Sequence, residues 1–377
     1  MTKRPLIFMF MAIILAFGGC TTAPQQQAMP KSLKDTLIFP PPPDEARYIY
    51  ERTLHGSTDV VPDAEDDALR RALTGDKKRG EGLGKPYGVA VHRGRVFVGD
   101  TGRRNVMVFD IPEQKFFTIG DEEPGQLARP LGMDVDKDGD LYVLDGLNKF
   151  IFVYDRDGKY LRTIGQTGDF NRPAGLGVNA DGSRIYAVDI GGTSSDTHKI
   201  MVYDGKSGEK LSEIGKRGSK DGELNLPRDV TVAADGSIYV VDGGNFRVQK
   251  FSPDGKFIST FGSIGRQGGQ FSRPKEAALD KDGNIYVADA AFGNFQIFNP
   301  AGQLLLAIGS RSERAGPAKY MLPSGIAVDG DGRIYFVDQF FQKVDVYRPI
   351  ALAADQGFTN KDPRGKYIPI PDEPTKK

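Results

Sequence analysis

Residues 226–262 read LPRDVTVAADGSIYVVDGGNFRVQKFSPDGKFISTFG and hold four short apolar segments separated by turn residues. Asp235-Gly236 joins the first segment to the second, and Asp254-Gly255 joins the third to the fourth. Asp-Gly pairs between apolar runs are strong signals for β-hairpins. This stretch therefore predicts one small sheet of four antiparallel strands.

The same pattern recurs on both sides of this stretch. Each copy begins at a proline before an apolar strand, and continues to an aromatic residue with an aspartate three positions later. The prolines are Pro86, Pro130, Pro173, Pro227, Pro274 and Pro323, and the aspartates are Asp100, Asp145, Asp189, Asp242, Asp289 and Asp338. Repeated four-stranded units of about 45 residues are typical of a β-propeller, in which each sheet needs its neighbours to form a core.

The sixth unit lacks a fourth strand, because Arg348-Pro349 follows its third strand and no closing Ile-Gly pair appears. Residues 48–54 (YIYERTL) resemble the fourth strand of the second unit, residues 159–164 (KYLRTI). We therefore expect an all-β, six-bladed β-propeller that is closed by an N-terminal strand completing the last blade. Such closure removes an open sheet edge.

The pattern P-x-G-hydrophobic, D-x-D-G, I-Y-V-x-D and N-x-R-V-x-x-F resembles the NHL repeat over roughly residues 84–347. WD repeats are excluded in practice, since the chain has no tryptophan. The first copy departs at the turn of residues 92–94, and the third carries the insertion GGTSSDTHK at residues 191–199. Some NHL-like propellers are lyases with histidine-bound zinc, and gluconolactonase-type propellers hold a carboxylate-rich metal centre. Neither residue pattern is matched in this sequence.

The first nineteen residues have the composition of a secretory signal. Lys3 and Arg4 precede an apolar run at residues 6–17, which is too short to span a bilayer as a helix. Two glycines and Cys20 then resemble the lipobox of bacterial lipoproteins, in which the cysteine is diacylated. Because Cys20 is the only cysteine, the alternative is plain secretion with one spare thiol.

Lipidation at Cys20 would attach the chain to a membrane through the lipid anchor only. Thr21 after this cysteine favours the outer membrane in family terms, so we expect a bacterial outer-membrane lipoprotein that faces the periplasm or the outside. The expected domains are a signal peptide at 1–19, the lipidated cysteine with a Pro/Gln-rich tether at 20–46, the propeller at 47–355, and a flexible C-terminal tail at 356–377.

No catalytic or metal-binding constellation is evident in the sequence. We interpret the strand-end aspartates as turn caps, since aspartate commonly bonds to backbone N–H groups there. The turn of residues 136–140 (DKDGD) resembles a calcium loop but lacks the glutamate of an EF-hand. His55, His92 and His198 fall on different parts of the ring, so we expect no shared zinc site. No cofactor is expected.

A candidate binding face remains. The loops after the second strand of each unit lie on the same face as the segments before each proline, because strands alternate in direction. These loops combine Arg, Lys, Asn and Phe, the composition of a binding face on a rigid scaffold, and a basic ring at the channel mouth would attract anions. The candidate residues are Arg103, Arg104, Asn105, Arg129, Asn148, Lys149, Arg172, Arg228, Asn245, Phe246, Arg247, Arg273, Lys275, Phe292 and Phe340. The alternative is that the Asn and Arg side chains belong to the repeat and only bridge blades.

We therefore expect a monomeric, non-catalytic binding or scaffold propeller of the bacterial cell envelope. Its expected partner is an envelope protein or an anionic glycan, and no nucleic acid. The near-neutral formal charge gives no indication of a nucleic-acid partner. The alternative function is a metal-dependent lyase or lactonase that acts at the central channel.

Overall fold

The computed structural model describes residues 37–62, 73–74, 80–192, 196–361 and 365–368. Within these ranges the chain forms six antiparallel sheets, five with four strands and one with five. The innermost strands of successive sheets contact each other, and the innermost strand of the sixth sheet contacts that of the first. The sheets therefore close into a ring around a channel, which confirms the predicted all-β, six-bladed propeller.

The strands of each blade run from the innermost to the outermost in chain order. Blade 1 consists of Pro86–His92, Arg95–Asp100, Asn105–Asp110 and Lys115–Ile119, and blade 2 of Pro130–Val135, Leu141–Asp145, Ile151–Tyr154 and Tyr160–Ile164. Blade 3 consists of Pro173–Val178, Arg184–Asp189, Lys199–Asp204 and Lys210–Ile214, and blade 4 of Pro227–Val232, Ile238–Asp242, Arg247–Phe251 and Phe257–Phe261. Blade 5 consists of Pro274–Leu279, Ile285–Asp289, Asn294–Phe298 and Leu304–Ile308.

Blade 6 takes its strands from both ends of the chain. Pro323–Val328, Ile334–Asp338 and Lys343–Pro349 are followed by Tyr48–Leu54, which pairs antiparallel with the third strand. The fifth strand of this sheet, Ile38–Phe39, pairs with residues 48 and 49. The N-terminal segment therefore occupies the place that the sixth unit leaves empty.

The hydrophobic core lies between neighbouring blades. Val98 of blade 1 and Val337 of blade 6 are fully buried in one cluster. Phe295 of blade 5 and Phe336 of blade 6 meet edge to face, with ring centroids 4.9 Å apart. Each apolar sheet face is thus covered by the next blade, which agrees with the expectation that each sheet needs its neighbours to form a core.

The propeller extends beyond both of its predicted boundaries. Residues 37–46 were assigned to the tether, but Ile38 is buried and Phe39 packs against Tyr347. Residues from 356 were assigned to a loose tail, but Gly357–Lys361 pairs with Tyr367–Ile368, and the backbone N–H of Phe358 donates to Asp331 of blade 6. Both segments were assigned elsewhere because they are short and have no repeat pattern.

Besides the hairpin of Gly357–Lys361 and Tyr367–Ile368, the described elements outside the blades include the 3-10 helix Ser57–Asp59 and the strands Ser310–Arg311 and Lys319–Tyr320, which pair in parallel. In the described part of the chain, no helix has both the length and the apolar character needed to cross a membrane. The predicted signal peptide, Cys20 and residues 20–36 of the tether lie outside the described residues.

Candidate functional site

The strand-end aspartates hold the backbone at one end of the channel. Asp145 is fully buried, and its carboxylate accepts hydrogen bonds from the backbone N–H groups of Ala128 and Arg129, both at 2.7 Å. It also accepts the N–H groups of Leu147 and Asn148 in the turn that follows the second strand. The aspartate therefore caps its own turn, as interpreted from the sequence, and also fixes the segment that leads into its blade.

The same arrangement places a cation before four of the innermost strands. The backbone N–H groups of Lys85, Arg172 and Arg273 donate to Asp100, Asp189 and Asp289, at distances between 2.7 and 3.2 Å. Together with Arg129, these residues directly precede the prolines that begin the innermost strands. Their side chains are exposed at this end of the channel, on what we call the mouth face.

Five of the predicted cations form a group that we call the cationic mouth: Arg129, Arg172, Arg228, Arg273 and Lys275. Burial lowers the pKa of Arg228 from its ordinary value, and the charges of Arg172 and Arg273 lower it further. Burial, with the charges of Arg273 and Arg228, lowers the pKa of Lys275 to about 8. Considering only the described residues, no carboxylate forms an ion pair with any of the five. Glu276, next to Lys275, partly opposes this lowering, and the group is otherwise a concentration of positive charge that no ion pair neutralises in the described part of the chain.

Tyr87 connects the cationic mouth to the channel beneath it. Burial raises the pKa of this phenol to about 12, and the charge of Glu276 adds to the effect, while Arg228 and Arg129 oppose it. The Tyr87 side chain therefore lies among groups of both signs and remains protonated at neutral pH. It is a neutral hydrogen-bond donor at the channel mouth.

Three carboxylates line the channel, in a cavity of about 240 Å³: Asp134, Asp229 and Glu276. Asp134 accepts the N–H of Val178 at 2.8 Å, and Asp229 accepts the N–H of Ala277 at 2.9 Å. These N–H groups belong to the innermost strands of the next blades, where the sheet edge leaves backbone donors unpaired. Each carboxylate thus joins two blades. Burial raises the pKa of Asp134 and of Asp229 to about 7 and raises that of Glu276 well above its usual range.

Glycines on the neighbouring strands make room for these carboxylates. A Cβ on Gly175 would collide with Oδ1 of Asp229, and one on Gly325 would lie 2.7 Å from the carbonyl oxygen of Tyr87 and 3.2 Å from Oε2 of Glu276. The three acids were not predicted from the sequence, because they stand at positions that differ between units. The available signal was an acid at an innermost-strand position where other units have glycine or alanine, as in PRDVTV compared with PYGVAV.

Several other predicted binding residues make hydrogen bonds within the propeller. Arg247 donates to Asp242 and to the carbonyls of Lys220 and Glu223, and Arg103 donates to the carbonyl of Gly82. The amide groups of Asn105, Asn148 and Asn245 donate to Asp121, to the carbonyl of Gln126, and to Asp242 with the carbonyl of Gly218. These contacts hold turns and the segments that connect consecutive units in place, which is a structural role, although none of them reaches the sheet of another blade.

The remaining predicted residues differ in exposure. Arg104 and Lys149 are exposed loop residues, with φ angles of 66° and 60°. Phe246 and Phe292 are half-buried, and Phe246 packs against the core between blades 4 and 5. Phe340 is 59% exposed and lines a second cavity on the mouth face. The structure therefore gathers the cations beside the prolines and disperses most of the loop residues.

The histidines lie apart from one another, each with its own backbone neighbour. His55 and His92 lie 3.2 Å from the carbonyls of Gln342 and Lys137, and His198 Nδ1 accepts the N–H of Leu226 at 3.1 Å. Asp136, in the turn that resembles a calcium loop, accepts backbone N–H groups of its own turn. Over the described ranges, no group of three or more His, Cys, Asp or Glu residues is arranged to hold a metal ion.

Comparison with known families identifies the repeat. Residues 224–251 match the NHL repeat, and residues 134–217 match a family described as a 6-bladed beta-propeller. Over 112 residues the chain is 30% identical to the probable peptidyl-alpha-hydroxyglycine alpha-amidating lyase pgal-1 of Caenorhabditis elegans, covering 29% of this chain and 30% of the relative. Over 50 residues it is 42% identical to RING finger protein nhl-1 of the same organism, covering 13% of this chain and 5% of that protein. The chain thus spans less than a third of either relative.

Solved structures share the architecture at low identity. A protein of unknown function from Bacteroides thetaiotaomicron superposes with a TM-score of 0.59 at 17% identity, covering 80% of this chain and 76% of that one. A gluconolactonase from Xanthomonas campestris superposes with a TM-score of 0.55 at 15% identity, covering 80% of this chain and 98% of that one. A streptogramin B lyase superposes with a TM-score of 0.52 at 12% identity, covering 71% of this chain and 94% of that one. At these identities the likeness shows the fold alone.

Proposed function

We propose that this six-bladed propeller with its NHL repeat is a non-catalytic binding protein that captures an anionic partner at the cationic mouth of its channel. One observation carries the proposal. In the part of the chain that the structure describes, these four arginines and one lysine form no ion pair with a carboxylate. The partner is a protein or an anionic glycan. Because the aspartates fix the backbone of Arg129, Arg172 and Arg273, that backbone is already ordered before the partner binds.

Burial of the cations, together with their mutual repulsion, supports anion binding in particular. The lowered pKa values of Arg228 and Lys275 mean that adding positive charge here costs free energy. A bound anion would offset that cost, and the positive potential at the mouth would speed its arrival. Anion capture therefore relieves an unfavourable feature of the free propeller.

The proposal includes a subcellular location. The secretory signal at residues 1–19 and the cysteine at position 20 support export and lipidation, and we propose that the monomeric propeller works in a bacterial cell envelope, at the outer membrane. Metabolic labelling with a radioactive fatty acid tests the lipidation on which this location depends. Label should enter the wild-type chain and be absent from Cys20→Ser, and equal labelling of both would contradict it.

Anion capture is tested by titrating the protein with polyglutamate and with polygalacturonate. Replacing Arg129, Arg172 and Arg273 together by glutamine should weaken binding at least about tenfold, and added salt should weaken the wild-type interaction. A matched control replaces Arg104, Lys149 and Arg266, three exposed cations outside the cationic mouth, by glutamine and loses the same charge. Equal effects of the two triple variants would contradict a role for the mouth.

A metal-dependent lyase or lactonase is the second candidate function. It is supported by the amidating lyase that matches over 112 residues and by the fold shared with a streptogramin B lyase and a gluconolactonase. This function requires a stoichiometric metal in the purified protein and turnover that stops when a chelator removes the metal. Elemental analysis of the purified propeller, followed by lactone and peptide-lyase assays, distinguishes it from simple capture.

A further inference from the structure

A pocket on the mouth face lies between blades 5 and 6, beside the cationic mouth. Its volume is about 430 Å³, which is within the range of small-ligand pockets. The apolar part of its lining consists of Ala290, Ala291, Met321, Leu322 and Phe340, and the charged part of Arg273 and Arg311. The pocket therefore combines a concave apolar surface with two guanidinium groups.

Two strand-end aspartates hold the walls of this pocket in place. Asp289 of blade 5 accepts the backbone N–H of Ala291 at 2.9 Å and also holds the backbone of Arg273. Asp338 of blade 6 accepts the N–H groups of Met321 and Leu322, at 2.8 and 2.9 Å. The backbone of both walls is thus fixed before any partner arrives, which lowers the entropy cost of binding.

Phe340 is a large apolar side chain left open to solvent at this pocket. It is 59% exposed, and its ring meets Phe341 edge to face at 5.1 Å. A single exposed apolar residue needs no explanation. Phe340, however, forms one side of a concave apolar surface, where a partner side chain would be buried on several sides.

The two arginines determine what else the partner must carry. Arg273 belongs to the cationic mouth, so the pocket continues the surface that captures anions. Arg311 is also exposed, and its Nη1 makes only long hydrogen bonds, 3.4 and 3.5 Å, to the carbonyls of Ala290 and Met321. Guanidinium groups pair well with carboxylates. The partner therefore needs an apolar side chain with carboxylates on either side of it.

We infer that the partner is a protein, and that it presents an acidic peptide segment whose apolar side chain enters this pocket. This inference rests on the proposed capture of anions at the mouth. An acidic segment with a leucine or a similar side chain satisfies both parts of the pocket. An anionic glycan supplies the charges but has no aliphatic side chain to bury.

The test uses two blocked synthetic pentapeptides, one with four glutamates around a central leucine and one with glycine in the centre. The wild-type protein should bind the leucine peptide about tenfold more tightly, because a leucine side chain leaves water. Phe340→Ala should reduce this preference to less than about threefold and leave the affinity for the glycine peptide unchanged. Leu147→Ala is the matched control, since Leu147 is 66% exposed at the equivalent loop position of blade 2 and should keep the preference.

The possible failures are distinguishable. If both peptides bind equally and the triple glutamine variant weakens both, anion capture stands and the pocket inference is overturned. Binding of polygalacturonate that is tighter than that of either peptide would also overturn it, in favour of a glycan. If neither peptide nor polyglutamate binds, the proposed function fails and the inference fails with it. Equal melting temperatures of Phe340→Ala and wild type exclude unfolding as the cause of a lost preference.

Discussion

The carboxylate of Asp134 should make the stability of the propeller depend on pH. It lines the channel and accepts the backbone N–H groups of Val178 and Val135, and burial raises its pKa from the ordinary value of 3.8 to about 7. Asp134→Asn keeps the size of the side chain and an acceptor oxygen for Val178, but it removes the ionisation. The amide nitrogen cannot accept the N–H of Val135, which lowers stability at every pH, so the pH dependence of the variant, and not its stability at one pH, isolates the effect of the charge.

The sign and size of the effect follow from the two pKa values. In the unfolded chain the carboxyl loses its proton near pH 4, whereas in the folded propeller it keeps the proton until about pH 7. The folded state binds more protons across this window, so the free energy of unfolding falls as the pH rises through it. Across the whole interval between the two pKa values, the loss in the free energy of unfolding would be about 4 kcal/mol. Unfolding measured from pH 5 upward covers only about two pH units of this interval, and Asp134 is half-buried, so the expected loss in free energy of unfolding is about 2 kcal/mol.

Urea unfolding at pH 5 and at pH 8 measures this loss. Wild type should be less stable at pH 8, and the difference between the two pH values should be about 2 kcal/mol smaller in Asp134→Asn. Asp138→Asn is the control, since this exposed aspartate lies in the next turn and should leave the difference unchanged. An equal difference in wild type and Asp134→Asn would refute the argument that burial in the channel raises this pKa.

Three further outcomes are expected. Because the pKa of Lys275 is about 8, polyglutamate affinity should fall between pH 7 and pH 9, and Lys275→Gln should abolish this fall in a series of binding titrations; a fall that persists would assign it to another group. Asp145→Ala leaves buried N–H groups unpaired and should lower the free energy of unfolding by about 3 kcal/mol in urea, whereas a loss below about 1 kcal/mol would contradict the capping role. Glu51→Ala removes one of the two carboxylates paired with the buried Arg333 guanidinium, which joins the N-terminal strand to blade 6. Because Asp331 remains as a partner, the free energy of unfolding should fall by about 2 kcal/mol in the same measurement; an unchanged unfolding curve would mean that this pair does not stabilise the closure.

The blades were predictable from the sequence because their spacing is set by residues with one clear physical role. The proline at the start of each innermost strand, the aspartate that caps the turn and the Asp-Gly hairpins recur in register. The last blade was harder to predict, since its fourth strand is separated from its third by almost 300 residues of sequence. Residues 48–54 were assigned to it only because YIYERTL resembles KYLRTI.

The misplaced boundaries have a common physical cause. Ile38–Phe39 is a two-residue strand directly before the prolines at 40–43, so composition favoured an extended tether there. Gly357–Lys361 (GFTNK) shows no alternation of apolar and polar residues. Both segments are ordered by tertiary contacts, with Tyr347 and with Asp331 respectively, that no local pattern reveals.

The candidate site was only partly predictable, because the residues that build the repeat recur in every unit, whereas the residues of the site differ from unit to unit. The aspartates recur in all six units and hold the backbone, while the residue before each proline is free to vary. That position holds Lys85, Arg129, Arg172, Leu226, Arg273 and Leu322. The cationic mouth draws on blades 2 to 5, and the apolar pocket lies where Leu322 replaces a cation in blade 6. Leu226 of blade 4 packs against the core between blades 3 and 4, whereas Leu322 lines the pocket beside Arg273. A partner that needs both charge and an apolar contact would therefore bind this six-fold scaffold at the boundary of blades 5 and 6.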